Sequence, residues 1–132
     1  DIMQKLTAAV SALQSQIEAV PGIIRKVTRD EATVTVTANP PGTQRPEDTL
    51  TFSVLFVTPC EYPASQAWLM SDNEALCDML CAVADEFVSG GTLELVLTRV
   101  LSLFGHEPDA IQDLFSCLDT FASHTLSLTL SV

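Results

Sequence analysis

Four strand-like segments follow one another in the first half of the chain, joined by links that hold turn residues instead of a helical pattern. Residues 23–29 mix β-branched and basic side chains, and residues 33–37 alternate strictly between threonine and valine. Residues 50–57 are apolar at every second position from the first, and residues 68–70 form a short fourth segment. Parallel neighbours would need long crossovers, so this order predicts an antiparallel meander.

The links between these segments are rich in turn-forming residues. Asp30 and Glu31 fit a hairpin turn, and residues 58–63 contain two prolines. The link at residues 39–48 has no apolar side chain apart from its prolines, so we expect a mobile loop there.

An amphipathic helix precedes the first strand. Six apolar side chains recur three or four positions apart, which is the spacing of one face of an α-helix. They are Met3, Leu6, Val10, Leu13, Ile17 and Val20. Pro21 and Gly22 then end the helix, because proline disfavours helical backbone in the residue before it.

Three further helices follow the fourth strand. Ser71, with a glutamate three residues later, forms a capping box that begins a helix predicted to end at Gly90. The apolar face of this helix comprises Leu76, Met79, Leu80, Val83 and Phe87. Thr92 caps a second helix that ends at Gly105, and Pro108 opens the third. The whole order predicts an α+β fold: an N-terminal helix, a four-stranded antiparallel meander, and C-terminal helices packed on one face of the sheet.

The chain is strongly acidic, and its charge is unevenly distributed. Its 132 residues carry 17 acidic and 6 basic side chains, which gives a formal net charge of −11 at pH 7. Residues 47–132 hold thirteen of the acids and one base, Arg99. Such a surface repels phosphate backbones and anionic lipids. We therefore expect no nucleic-acid binding and no membrane binding, and we expect a protein partner with a basic surface.

The reactive side chains do not form a recognisable active site in the sequence. Cys77 and Cys81 share one side of a helix, but a metal site needs three or four ligands, and no others have a suitable spacing. We expect both to pack as small apolar groups. Cys60 lies in a predicted loop, and its neighbour Glu61 is an acid instead of the base that a reactive thiol needs. The sequence predicts no catalytic residue, no metal site and no cofactor, and its sparse cysteines favour the cytoplasm or the nucleus.

The segment from the third strand to the glycine pair at residues 90–91 resembles the RWD domain family. That family has the fold of ubiquitin-conjugating enzymes without their catalytic machinery. Its usual loop reads Tyr-Pro, three residues, and a second proline; Tyr62 and Pro63 match it, and Ala67 replaces the second proline. Trp68 begins the short strand that follows. The resemblance covers residues 2–104 of a single domain at 1–132, with a C-terminal helix and strand at 108–132 as an extension.

The resemblance implies a noncatalytic protein-interaction domain within a larger protein. Active conjugating enzymes carry a His-Pro-Asn tripeptide and a cysteine before the next helix, whereas Met70 is followed here directly by the predicted cap. Family members recruit partners, and their partner is often another RWD domain. The alternatives are the N-terminal regulatory domain of a Q-type ubiquitin-conjugating enzyme, whose RWD-like region has a similar loop, and a kinetochore or stress-signalling scaffold. We expect Tyr62, Pro63 and Trp68 to stabilise the fold first and to contact a partner second.

Two groups of residues are the candidate partner contacts. One group is acidic and lies at the start of the helix after the fourth strand: Asp72, Glu74 and Asp78. The other lies in residues 125–132, whose strict alternation of polar and apolar side chains predicts a strand. Its apolar face includes Leu126, Leu128 and Leu130. This strand either covers the domain's own surface, which we favour, or adds to the sheet edge of a partner.

Deleting residues 125–132 should lower the melting temperature of the protein, because burying each large aliphatic side chain contributes about 1.5–3 kcal/mol. Thermal unfolding of the full and the truncated chains, followed by circular dichroism, measures this difference. Unchanged stability together with loss of self-association or partner binding would identify the segment as an interface.

Overall fold

A computed structural model describes residues 3–116, and they form the predicted α+β fold. The helices are α1 (Gln4–Ala19), α2 (Glu74–Cys81), α3 (Leu93–Leu103) and α4, described over residues 108–116. The strands are β1 (Ile24–Asp30), β2 (Thr33–Ala38), β3 (Leu50–Phe56) and β4 (Ala67–Met70). Short 3-10 turns lie at Pro46–Asp48, Pro59–Glu61 and Ala84–Phe87. The predicted strand at 125–132, with Leu126, Leu128 and Leu130, lies outside the described residues.

The four strands form the predicted antiparallel meander, in the order β1-β2-β3-β4. Val36 of β2 lies opposite Val27 on one side and Phe52 on the other, so the apolar positions of neighbouring strands are in register. Successive side chains of a strand point to opposite faces of the sheet. One face is therefore buried, through Val34, Val36, Phe52, Val54 and Phe56 among others.

The helices pack on this buried face and complete one hydrophobic core. α1 packs against β1 and buries Leu6, Val10 and Leu13. α3 buries Leu93, Val96, Leu97, Val100 and Leu101, and α4 adds Ile111, Leu114 and Phe115. The rings of Phe52 and Phe104 meet edge to face at 5.9 Å between centroids, which joins β3 to the end of α3.

The loop at residues 39–48, which the sequence predicts to be mobile, makes hydrogen bonds to the rest of the domain. Asn39 is fully buried, and its side-chain amide donates to the carbonyl of Arg45 at 2.9 Å. The Arg25 guanidinium donates to the carbonyl of Gln44 at 3.0 Å. His106 Nε2 donates to the carbonyl of Asn39 at 2.7 Å, which ties the loop to the segment after α3. Arg25 and His106 come from distant parts of the sequence, so the composition of the loop does not reveal these two contacts.

The start of α2 differs from the predicted capping box. Its N-cap is Asn73, whose side-chain oxygen accepts the Leu76 N–H at 3.0 Å. Ser71 instead donates its hydroxyl to the carbonyl of Thr51 at 2.7 Å. The predicted cap residue therefore holds the end of β4 against β3, and the asparagine two positions later takes the capping role.

The end of α2 also differs from the prediction, because the helix stops at Cys81 and a 3-10 turn follows. A straight helix to Gly90 would carry the chain away from the connection between β3 and β4. In the structure the Gly91 N–H donates to the carbonyl of Pro63 at 2.8 Å, so the chain must return there. Met79, predicted on the apolar face, is 39% exposed, because the inward side of the shortened helix is formed by Leu76 and Leu80.

Tyr62 joins the connection between β3 and β4 to the start of α3. Its hydroxyl accepts the buried Leu93 N–H at 2.7 Å, which satisfies a free amide of the helix N-terminus. Its ring meets Phe56 edge to face at 5.1 Å. The Tyr62–Pro63 peptide bond is cis. The predicted role of Tyr62 and Pro63 in stabilising this connection is consistent with these contacts.

Gly90 allows the return of the chain to this connection. It has a φ of +116°, and a Cβ placed on it would lie 2.5 Å from the carbonyl oxygen of Pro63. No side chain fits at that distance, so the two backbones approach closely because residue 90 is glycine.

Gly90→Ala should destabilise the protein more than Gly42→Ala does. Both glycines have a positive φ, +116° and +90°, so alanine strains the backbone at either site by about 1–3 kcal/mol. A Cβ at residue 42 has no atom within 4 Å, whereas at residue 90 it meets backbone atoms. Urea unfolding of the two variants compares the losses. Equal losses would contradict the close approach of Gly90 to Pro63.

Tyr62→Phe should lower the free energy of unfolding by about 1–3 kcal/mol, because it leaves the buried Leu93 N–H without its acceptor. Burial raises the pKa of the Tyr62 hydroxyl above its usual value, although the Leu93 N–H opposes this shift. The folded state thus favours the neutral hydroxyl. The stability that this hydroxyl contributes to the folded protein is complete below a pH of about 10, and it is lost as the pH rises through the folded-state pKa. Denaturant unfolding at rising pH should show a steeper loss for the wild type than for Tyr62→Phe. Parallel pH profiles would contradict this role.

Candidate functional site

The face of the sheet that points away from the helices is the candidate site. We call it the open face, because its side chains are exposed or half-buried in the described part of the chain. It comprises Lys26, Thr28 and Asp30 of β1, Thr33, Thr35 and Thr37 of β2, Thr51, Ser53 and Leu55 of β3 with Val57 just beyond it, and Trp68 and Met70 of β4. These residues are the set that alternates with the buried side chains, so the strand register alone brings them together.

The middle of the open face is polar and internally paired. The hydroxyls of Thr35 and Ser53 lie 3.0 Å apart, and so do those of Thr37 and Thr51. Both are cross-strand pairs between β2 and β3. Each hydroxyl keeps capacity to accept a further hydrogen bond.

The β4 side of the open face is apolar. Leu55 lies directly opposite Trp68, and Val57 and Met70 lie at diagonal positions to this pair. Trp68 is 51% exposed, Val57 43% and Met70 38%. We call these four residues the apolar corner. Scattered single apolar side chains are ordinary on a protein surface, but a contiguous group that includes a tryptophan is typical of an interaction site.

A hollow of about 640 Å³ adjoins the apolar corner. Its lining includes Thr35, Ser53 and Met70 and the polar residues Asp72 and Asn73. The hollow therefore places an acidic group beside apolar and hydroxyl-bearing side chains.

The three acidic residues predicted as partner contacts are all exposed, and Asp72 lies at this hollow. Glu74 begins α2, and Asp78 follows one turn later on the same side of the helix. None of the three carboxylates forms an ion pair with another residue between positions 3 and 116. They are free to meet positive charge from outside.

Arg99, the one basic residue after position 46, is already paired. Its guanidinium makes two hydrogen bonds to the carboxylate of Glu86, at 2.8 and 3.0 Å. Hydrogen bonding to Arg99 lowers the pKa of Glu86, and the same pair raises the pKa of Arg99. Arg99 therefore does not neutralise Asp72 or its neighbours.

Trp68 has a different place from the one that the sequence predicts. It is half exposed on the open face, whereas we expected it to stabilise the fold first. Ala67, the residue before Trp68, is the one that is buried. Because side chains alternate along β4, Trp68 points outward. The pattern of β3 carried the relevant signal, because its outward set changes from Thr51 and Ser53 to Leu55 and Val57 along the strand. The sequence alone does not predict the apolar corner as a site.

The cysteines are separate from the open face. Cys60 and Cys81 are exposed and Cys77 is partly buried, so the prediction that Cys81 packs as an apolar group is wrong. The reason is that α2 ends at Cys81, beyond its inward residues Leu76 and Leu80. Among residues 3–116 no group of three or more histidine, cysteine or acidic side chains is placed to hold a metal ion.

Two further hollows lie among the helices and loops. One, of about 590 Å³, lies between the α1–β1 link, the loop after β2 and the start of α4, and includes Pro21, Pro41 and His106. The other, of about 310 Å³, lies between α3 and α4 beside Arg99 and Phe115. Neither contains one of the large exposed apolar side chains, so the open face is the stronger candidate.

The described helices are too short or too polar to cross a membrane. Comparisons with family models, curated proteins and solved structures gave no match to this chain.

Proposed function

We propose that this chain is a noncatalytic protein-interaction domain of the RWD type, part of a larger cytoplasmic or nuclear protein, that binds its partner through the open face. The observation that carries this proposal is the apolar corner. Tryptophan is enriched among the residues that dominate binding energy, and Trp68 exposes half of its surface in the middle of an apolar group.

The architecture supports the RWD assignment within this proposal. The order of elements is a helix, a four-stranded meander and then helices, and the Tyr62–Pro63 connection lies between β3 and β4 as the family resemblance requires. Ala67 in place of the second proline is the departure from the family motif, and here it is a buried residue of β4. Recruitment of a protein partner, including another RWD domain, is the activity that this class of fold implies.

The composition of the open face supports protein as the ligand. An interface on this face would have an apolar part at Leu55, Val57, Trp68 and Met70, and a polar part formed by the threonine and serine hydroxyls. An apolar centre with a polar border is the usual organisation of a protein–protein interface.

Photo-crosslinking in cells tests the proposal. A crosslinking amino acid in place of Trp68 should capture a recurrent protein, and the same group in place of the exposed Ala8 on α1 should not. The captured protein, once purified, should bind the wild-type domain at least tenfold more tightly than it binds Trp68→Ala.

Leu95→Ala is the matched control, because Leu95 is 50% exposed on α3, outside the open face. This variant should bind the partner as the wild type does, and melting temperatures should show that both variants fold. Capture from Ala8 but not from Trp68, or wild-type affinity of Trp68→Ala for the partner, would contradict the proposal.

A further inference from the structure

The acidic border of the apolar corner indicates the chemistry of the partner, if the open face binds one as proposed above. Trp68, Met70 and Asp72 follow one another at every second position of the chain. Trp68 and Met70 project from the same side of β4, about 7 Å apart at the rise of a strand. Asp72 then lies with Met70 at the hollow of about 640 Å³. The surface thus presents two apolar groups and then an acid.

Asp72 takes part in no ion pair among residues 3–116, and Arg45, the basic residue nearest to it in the sequence before β3, is paired with Glu47 and Asp48. Between Pro46 and Thr98 the sequence holds nine acidic residues and no basic one. Arg99 is bound by both carboxylate oxygens of Glu86. Lys26, the basic residue of the open face, is on β1 at the opposite edge of the sheet, about 14 Å from β4 at the usual strand spacing.

The hollow has the lining that suits a cationic side chain. Asp72 supplies a negative charge, and the lining also includes Thr35 and Ser53, whose paired hydroxyls can each accept a further hydrogen bond. Arginine and lysine carry donors and no acceptor, and their aliphatic stems pack on apolar groups such as Met70.

We propose that the open face binds a short extended segment of the partner protein in which two apolar residues at alternate positions are followed, again at an alternate position, by arginine or lysine. The apolar side chains pack on the apolar corner, and the cation enters the hollow beside Asp72. A second copy of this chain does not fit this description, because each copy carries a net charge of −11 and the two acidic surfaces repel.

Three synthetic peptides test this inference on the full chain. The first peptide is acetyl-Gly-Leu-Ser-Leu-Ser-Arg-Gly-amide, and the second has glutamate in place of the arginine. The third has the same composition as the first, but its two leucines are adjacent instead of alternating. Trp68 is the one tryptophan of the chain, so its fluorescence reports binding at the apolar corner directly.

The arginine peptide should produce a saturable change in the emission of Trp68, with an affinity at least tenfold higher than that of either other peptide. Raising the salt concentration should weaken its binding, because screening reduces the attraction to Asp72. Asp72→Asn should reduce the preference for arginine over glutamate at least threefold, and Asp85→Asn, which changes an exposed acid in the 3-10 turn Ala84–Phe87 outside the open face, should leave it unchanged. Melting temperatures check that both variants fold.

Equal affinities for the arginine and glutamate peptides would overturn the inference, and so would the absence of any response to the arginine peptide at millimolar concentration. An unchanged preference in Asp72→Asn would also overturn it. The crosslinking experiment separates this outcome from failure of the proposed function: a partner captured at Trp68 through a segment without basic residues leaves the open face as a protein-binding site and refutes the basic segment.

Discussion

The hydrogen bond between the Tyr62 hydroxyl and the first amide of α3 joins the sheet to the helical layer at the β4 end of the domain. A second hydrogen bond lies beside it, because the Gly91 N–H donates to the carbonyl of Pro63. Together these two hydrogen bonds fix the position of the backbone after β3 and again before α3. The short α2, the 3-10 turn that follows it and the glycine at position 90 all fit within that interval.

The same connection determines which way β4 faces. Ala67 follows the connection and is buried, so the alternation of the strand turns Trp68 and Met70 outward, opposite Leu55 and Ser53. The core therefore forms on one face of the sheet, and the apolar corner remains on the other. Because the nearby acids are unpaired among the described residues, this face combines exposed apolar surface with uncompensated negative charge. That combination favours a partner that offers apolar side chains and positive charge together.

Sequence periodicity predicts most of this fold because most of its elements are amphipathic in a simple way. The alternation at residues 33–37 corresponds to β2, and Thr92 caps α3 as expected, accepting the Leu95 N–H at 3.1 Å. The predictions failed where a distant partner decides the local structure. Ser71 has the residue type of a cap, but the carbonyl of Thr51 takes its hydroxyl, and α2 ends early because Gly91 is held at Pro63. The apolar corner was missed for a related reason: it exists only once the register places Trp68 opposite Leu55.

The accessibility of Trp68 to solvent tests the central claim of an open face most directly, since the chain has one tryptophan. Quenching of its fluorescence by acrylamide should be measured for the folded monomer and for the urea-unfolded chain. An open face predicts a red-shifted emission and a quenching constant for the folded protein that is a large fraction of the unfolded value. A blue-shifted emission that acrylamide barely quenches in the monomer would contradict the account, because it would mean that this face is covered.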